Sequence, residues 1–131
     1  GWFEEYVYIN LMPLMQTGLI TDMRIGYSLN TIINPDSLLQ EFDILFTDSK
    51  TLYILECKSG NLISEHLDKL QNNLITYAGR SGKGALVSAV SKANDAMNEK
   101  ILRNKNLNIF TGDGVPTCLK NILNMFNERK K

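Results

Sequence analysis

The stretch that most constrains this chain is "EFDILFTDSKTLYILECKSG", residues 41–60. Two runs rich in β-branched and aromatic residues, 40–47 and 51–58, flank the turn-forming tetrapeptide Thr-Asp-Ser-Lys, which predicts a β-hairpin. Side chains alternate faces along a strand, so Leu52, Ile54, Glu56 and Lys58 share one face and Tyr53, Leu55 and Cys57 the other. Both faces are apolar up to Leu55, as in a strand at the centre of a sheet. Glu56 and Lys58 then project from its end, and a hairpin centred on 48–50 sets Asp43 roughly opposite Glu56. Ionised carboxylates beside apolar strands cost several kcal/mol or more (order of magnitude) unless cations or hydrogen bonds offset them. A hard cation such as Mg2+ or Mn2+ suits paired Asp and Glu oxygens, and a lysine two residues on can orient a water or stabilise a phosphate.

The remaining pattern frames this hairpin. Residues 2–16 predict a helix with Phe3, Tyr6, Val7, Asn10 and Leu14 on one stripe, Pro13 as a possible kink and Gly18 as a stop. A strand is expected over 20–30, a turn at Asn-Pro-Asp-Ser (34–37), and a helix over 65–78 capped by Ser64. A loop over 79–84, a strand over 85–90, a helix over 92–104, a strand over 107–110 and a helix over 115–128 complete the order. The predicted class is α/β, a mixed sheet flanked by helices in the order α-β-β-β-α-β-α-β-α, within one domain spanning residues 1–131.

Charge separates the two halves. Residues 1–65 hold three Lys/Arg against nine Asp/Glu, and residues 66–131 hold eleven against five, giving −6 and +6 in a chain of zero net charge. A carboxylate cluster beside a basic surface suits a phosphate polymer; the bland alternative is a mixed surface. No segment is long and apolar enough to cross a bilayer, and no secretory signal precedes the first helix, so a cytoplasmic protein is expected. Cys57, Cys118 and the single histidine lack zinc-ligand spacing.

At this point the chain resembles a known family. Asp43, twelve residues and Glu56-Cys57-Lys58 resemble the PD-(D/E)xK signature of restriction-endonuclease-like nucleases, with Phe42 where that motif has proline. More of the chain, "GWFEEYVY", "EFDILF", "LYILECKSG" and "LDKLQNNL", resembles the C-terminal nuclease domain of CARF-containing CRISPR ancillary effectors. The resemblance implies a metal-dependent, homodimeric nuclease of DNA or RNA in antiviral defence. It also implies that an N-terminal sensor domain, outside this chain, responds to cyclic oligoadenylate. Carried over by residue, Asp43 and Glu56 bind Mg2+ or Mn2+, Lys58 is the catalytic lysine, and Glu4 is the helix acid, with Glu5 the alternative. Lys69 and Gln71 fall where such nucleases place a polar helix residue.

Other signals are weaker. "GRSGKG" (79–84) lacks P-loop spacing, though Arg80 and Lys83 are candidates for contacts with a nucleic-acid backbone. His66 reads as a solvated surface residue, the aromatics of the first helix as core, dimer contacts or base-stacking groups, and Glu41 as an edge residue or an outer acid of the site. Two alternatives stay open: a catalytically silent binding or dimerisation module on the same fold, and a junction-resolvase or restriction-type endonuclease.

Overall fold

The hairpin forms around Asp48. In this computed structural model, which describes residues 2–29, 40–89 and 92–128 (without the side chains of 27–29, 40, 41, 127 and 128), Asp48 Oδ1 accepts the N–H groups of Lys50 and Thr51 at 3.0 and 2.9 Å. The Thr47 hydroxyl donates to Thr51 O at 2.8 Å, and Ser49 adopts the left-handed conformation at φ 77°. Burial disfavours the Asp48 charge, but these N–H groups and the Tyr53 hydroxyl outweigh it and hold its pKa below the usual range. The loop thereby sets the register of β2 (Gln40–Thr47) against β3 (Leu52–Lys58), which pair antiparallel from Thr47↔Leu52 to Ile44↔Leu55.

Three further strands extend the hairpin. β1 (Asp22–Leu29) lies antiparallel to the outer side of β2; β4 (Lys83–Ser88) and β5 (Leu107–Thr111) add in parallel beyond β3. The sheet order is β1-β2-β3-β4-β5. The parallel crossovers carry α2 (Ser64–Asn73, continued by a π-helical turn Leu74–Ala78) and α3 (Asp95–Arg103). α1 (Trp2–Gln16), α4 (Val115–Lys120) and α5 (Ile122–Glu128) cover the opposite face. The mixed sheet with helices on both faces is the architecture expected from the sequence.

Two cores result. Phe3, Val7 and Leu11 of α1, one turn apart, join Ile44, Phe46, Tyr53, Leu55, Val87 and Phe126 on one face. Leu67, Leu70 and Leu74 of α2 join Met97 and Ile101 of α3, with Ile54 and Leu86, on the other. Burying each such side chain is worth about 1.5–3 kcal/mol, so these stripes hold the helices to the sheet.

Several boundaries differ from expectation. The α1 stripe runs through Phe3, Val7 and Leu11, leaving Tyr6 largely exposed and Asn10 bonded through Nδ2 to Tyr6 O at 2.9 Å. Ser64 is the first helical residue, and Ile63 occupies the cap position. β4 begins at Lys83, inside the expected loop, because its ladder with β3 starts at Tyr53↔Lys83. The final helix is broken at Asn121. The expected 34–37 turn, the side chain of Glu41 and the chain's last residues lie outside the described residues.

Candidate nuclease site

The site begins with a break in strand alternation. Ile44 and Phe46 pack beneath α1 and Leu45 beneath α2, as alternation requires. Phe42, two residues before Ile44, packs in the α2 core instead, edge-on to Tyr77 with ring centres 5.3 Å apart. The ladders are interrupted at the same place. β1–β2 pairing runs on both sides of Gly26 and Asp43 but skips that pair, and β2–β3 pairing stops at Ile44↔Leu55. Gly26 has φ 60°, a conformation open to glycine and strained for other residues. β2 therefore turns over at Asp43 without a change of register, since the pairs on either side keep the same alignment.

This turn brings the carboxylates together. Asp43 Oδ2 accepts the Cys57 N–H at 2.8 Å, across the gap where the ladder has opened. Glu56 is the residue across from Asp43 and feels its charge. Burial is the main cause that raises the Glu56 pKa to about 7, with the Asp43 charge second; Lys58 and Lys69 pull the other way. Glu56 Oε1 is buried and has no hydrogen-bond partner. Burial also pushes the Cys57 thiol pKa upward, reinforced by Asp43, Glu4 and Glu56, so Cys57 is held as a neutral thiol rather than a nucleophile.

Glu4 and Glu5 come from the first turn of α1 and line an open cleft of about 320 Å³ with Ile25, Gly26 and Asp43. Glu4 is half-buried and within electrostatic reach of Lys58 and Cys57, whereas Glu5 is exposed. Among the described residues, no three Asp, Glu, His or Cys side chains gather closely enough to hold a metal. The three-carboxylate set of Asp43, Glu56 and Glu4 is therefore not assembled. Asp43 and Glu56 form a close pair, with Glu4 set back in the cleft.

That pair fits a divalent cation on two grounds: two acids crowd one another, and one buried oxygen lacks a donor. Mg2+ is commonly held by one or two carboxylates and keeps several waters, so two protein carboxylates suffice.

The remaining candidates separate. Lys69, on α2, acts on the Glu56 charge and so belongs near the pair. Gln71 does not: it lines a groove of about 410 Å³ between α2 and α3, with Glu99, Lys100 and Arg103. Arg80 and Lys83 lie at the wrong end of the sheet. Lys83 pairs with Tyr53 at the start of β3, while Ser88 pairs with Lys58 at its end. Five strand steps, about 16 Å, divide the two ends. Lys83 is also buried, its Nζ 5.8 Å from the Phe126 ring centre. Among the described residues, the cations of the basic half are thus divided between different places. Lys100 and Arg103 pair with Asp68 and Glu99, and Arg80, Lys83 and Lys105 line a separate cleft.

His66 has a role in its own helix. It occupies the third helical position of α2, and its Nδ1 accepts the Ile63 N–H at 3.3 Å. It is half-buried, and burial, then Lys58 and Lys69, lower its pKa. With Ser64 taken as the cap, His66 falls two residues on, and the capping-box position became visible only once Ile63 proved to be the cap.

Comparison with known proteins agrees with this fold. The Card1-like endonuclease domain family matches residues 1–129. The fold is similar to protein VC1899 from Vibrio cholerae, with TM-score 0.78 and 20% identity over 98% of this chain and 34% of that one. It is also similar to Can2 from Sulfobacillus thermosulfidooxidans, solved in complex with cyclic tetra-adenylate, with TM-score 0.73 and 25% identity over 96% of this chain and 35% of that one. Protein AF1548 shares the fold more distantly, with TM-score 0.54 and 11% identity over 84% of this chain and 64% of that one. No curated protein matches in sequence. The chain spans about a third of the length of VC1899 and Can2. The resemblance to the nuclease domain of CRISPR ancillary effectors and the family match point to the same group. This chain belongs to the Card1-like endonuclease domain family.

Proposed function

We propose that the domain hydrolyses phosphodiester bonds of DNA or RNA with Mg2+ or Mn2+ held by Asp43 and Glu56. The observation that carries the reading is the half-buried Asp43–Glu56 pair, with the Glu56 pKa raised to about 7 and one oxygen unpartnered. When bound, the cation would neutralise this pair and polarise a phosphoryl oxygen and a water. Asp43, tied to the Cys57 N–H, and Glu56 orient it. Lys58, two residues beyond Glu56, donates to the attacking water or to the phosphate oxygen on which charge develops. A bond forms from water oxygen to phosphorus as the bond to the leaving sugar oxygen breaks. The water loses a proton and the leaving oxygen gains one. Glu4 receives or orients a water from the cleft.

That no third ligand gathers among the described residues favours one competing reading, a silent binding module on the same fold. Both are tested by incubating the domain with labelled single- and double-stranded DNA and RNA in Mg2+, Mn2+ or EDTA. Metal-dependent cutting by wild type and none by Glu56→Gln supports the nuclease; no cutting in any condition supports the silent module. For the whole protein we propose a homodimer acting in the cytoplasm in CRISPR-linked defence. Its activity would be governed by an upstream domain that senses cyclic oligoadenylate, the ligand class bound by Can2.

A further inference from the structure

Three loops meet at the end of the sheet opposite the carboxylate pair. The β2–β3 hairpin loop, the α2–β4 turn and the α3–β5 turn lead into the starts of β3, β4 and β5, which lie side by side because Tyr53 pairs with Lys83 and Gly84 with Leu107. Thr51, Arg80, Ser81, Lys83, Lys105 and Asn106 line an open cleft of about 340 Å³ there. The cleft is held in shape from behind. Gly79 O accepts the Gly82 N–H at 3.2 Å, closing a turn with Arg80 and Ser81 at its tip. Gly79 has φ 73°, and a Cβ at Gly82 would collide with that of Ala78, so both ends of this turn require glycine. Asn106 Nδ2 donates to Arg80 O at 2.8 Å, and Asn106 O accepts the Gly84 N–H at 2.8 Å, which ties the α2–β4 and α3–β5 turns together.

The cleft is cationic and has no acid in its lining. Arg80 and Lys105 are exposed, and neither forms an ion pair among the described residues, whereas Arg24, Lys100 and Arg103 each do. Lys50 adds a further exposed cation in the hairpin loop, next to Thr51. The nearest acid in the chain, Asp48, is committed within that loop: Oδ1 accepts the Lys50 and Thr51 N–H groups, and Oδ2 accepts the Tyr53 hydroxyl at 3.3 Å. Asp22 lies at the same end of the sheet, but on β1 beyond β2, and pairs with Arg24. Like charges gathered by fixed turns repel one another, and a bound anion relieves that repulsion.

We propose that this cleft is a second contact for the phosphodiester backbone, one that holds a long strand away from the point of cutting. Arg80 and Lys105 each take a phosphate oxygen, and the hydroxyls of Ser81 and Thr51 donate to the same groups. Contacts of this kind position a strand without reading its bases. The two ends of β3 lie about 16 Å apart. At a spacing of about 3.4 Å per nucleotide, a strand must carry roughly five phosphates or more to touch both places. Short strands therefore reach the carboxylate pair alone, and long ones are held at both ends. The inference rests on the nuclease reading for its substrate, but its binding test does not depend on cutting.

The test measures affinity for fluorescent single strands, a tetranucleotide and one of about thirty nucleotides, in EDTA across a salt series. Inorganic phosphate and chloride of equal ionic strength serve as competitors, and cutting is followed in Mg2+ or Mn2+. The long strand should bind about tenfold more tightly than the tetranucleotide or better. Lys105→Ala should weaken long-strand binding severalfold and reduce the slope of log K against log salt by about 0.7, and adding Arg80→Ala should reduce it by about as much again. Both substitutions are of exposed side chains, so melting should hold, and tetranucleotide binding should stay within about twofold. Lys120→Ala, which removes the same charge from α4, should leave the slope unchanged. The proposal is overturned if the double variant binds the long strand like wild type. It is also overturned if the long strand has no advantage over the tetranucleotide and phosphate competes better than chloride, which would make the cleft a site for free phosphate. If the double variant loses long-strand binding while the wild type cuts nothing in any metal, the backbone contact stands and the nuclease reading falls.

Discussion

The Cys57 N–H donates to Asp43 Oδ2 at 2.8 Å where the β2–β3 ladder has ended, so a side chain replaces a backbone carbonyl as the cross-strand acceptor. The ladder's loss and the site's formation are one event. Asp43→Ala should leave the Cys57 N–H without its partner and remove the repulsion on Glu56. Net stability should change by no more than about 1–2 kcal/mol, because the two effects oppose each other. Cutting should fall at least a hundredfold, and a melt beside a cleavage assay separates the two results. Cutting at the wild-type rate would exclude Asp43 from the site.

Glu56 carries a pH signature. Its ordinary value of 4.5 rises to about 7, chiefly by burial and then by Asp43. Between those values the metal-free folded state holds a proton that the unfolded chain has released. Its contribution to stability is full below the unfolded value and is lost as pH climbs to about 7, a change of up to about 3 kcal/mol. Denaturant melts in EDTA should show this slope in wild type and not in Glu56→Gln. Metal-dependent cutting should rise across the same window, since the cation needs the ionised carboxylate.

Lys58→Ala should abolish cutting by at least a hundredfold and cost less than about 1 kcal/mol, because Lys58 sits at the end of β3 outside the apolar run. Titration of metal-dependent binding should still succeed in this variant. A failure to bind would make Lys58 a binding residue rather than a catalytic one.

Gly26→Ala tests the turn at Asp43. No atom lies within 4 Å of the position an added Cβ would take, so the strain comes from the φ of 60° alone, on the order of 1 kcal/mol. The larger effect should be on cutting, through displacement of Asp43. An unchanged rate would mean that the break in pairing is incidental.

Arg80→Ala and Lys105→Ala should leave cutting of a short oligonucleotide within twofold of wild type. Both residues line a cleft at the end of the sheet opposite the carboxylates. A loss of rate with short substrates would contradict that placement.

The sequence by itself determined the hairpin, the central position of β3, the helix order and the presence of Asp43, Glu56 and Lys58 around one strand end. Each of these follows from local chemistry: period-two alternation, the Asp48 turn, and charge appearing where an apolar run stops. The tertiary structure decided which of the predicted residues meet. Arg80 and Lys83 are separated from Glu56 because β4 runs parallel to β3, and strand direction is not written in β4's own residues. Gln71 and Lys69 are two residues apart but lie on different sides of α2, and only the packing of α3 settles which side faces the carboxylates. Strict alternation along β2 would put Phe42 on the face of Ile44. The turn at Asp43 overrides it, because Gly26 on the neighbouring strand relaxes the ladder and the α2 core takes the Phe42 ring. Local patterns record what each segment prefers, whereas a site is made by segments distant in the chain, whose meeting depends on how two cores close on one sheet.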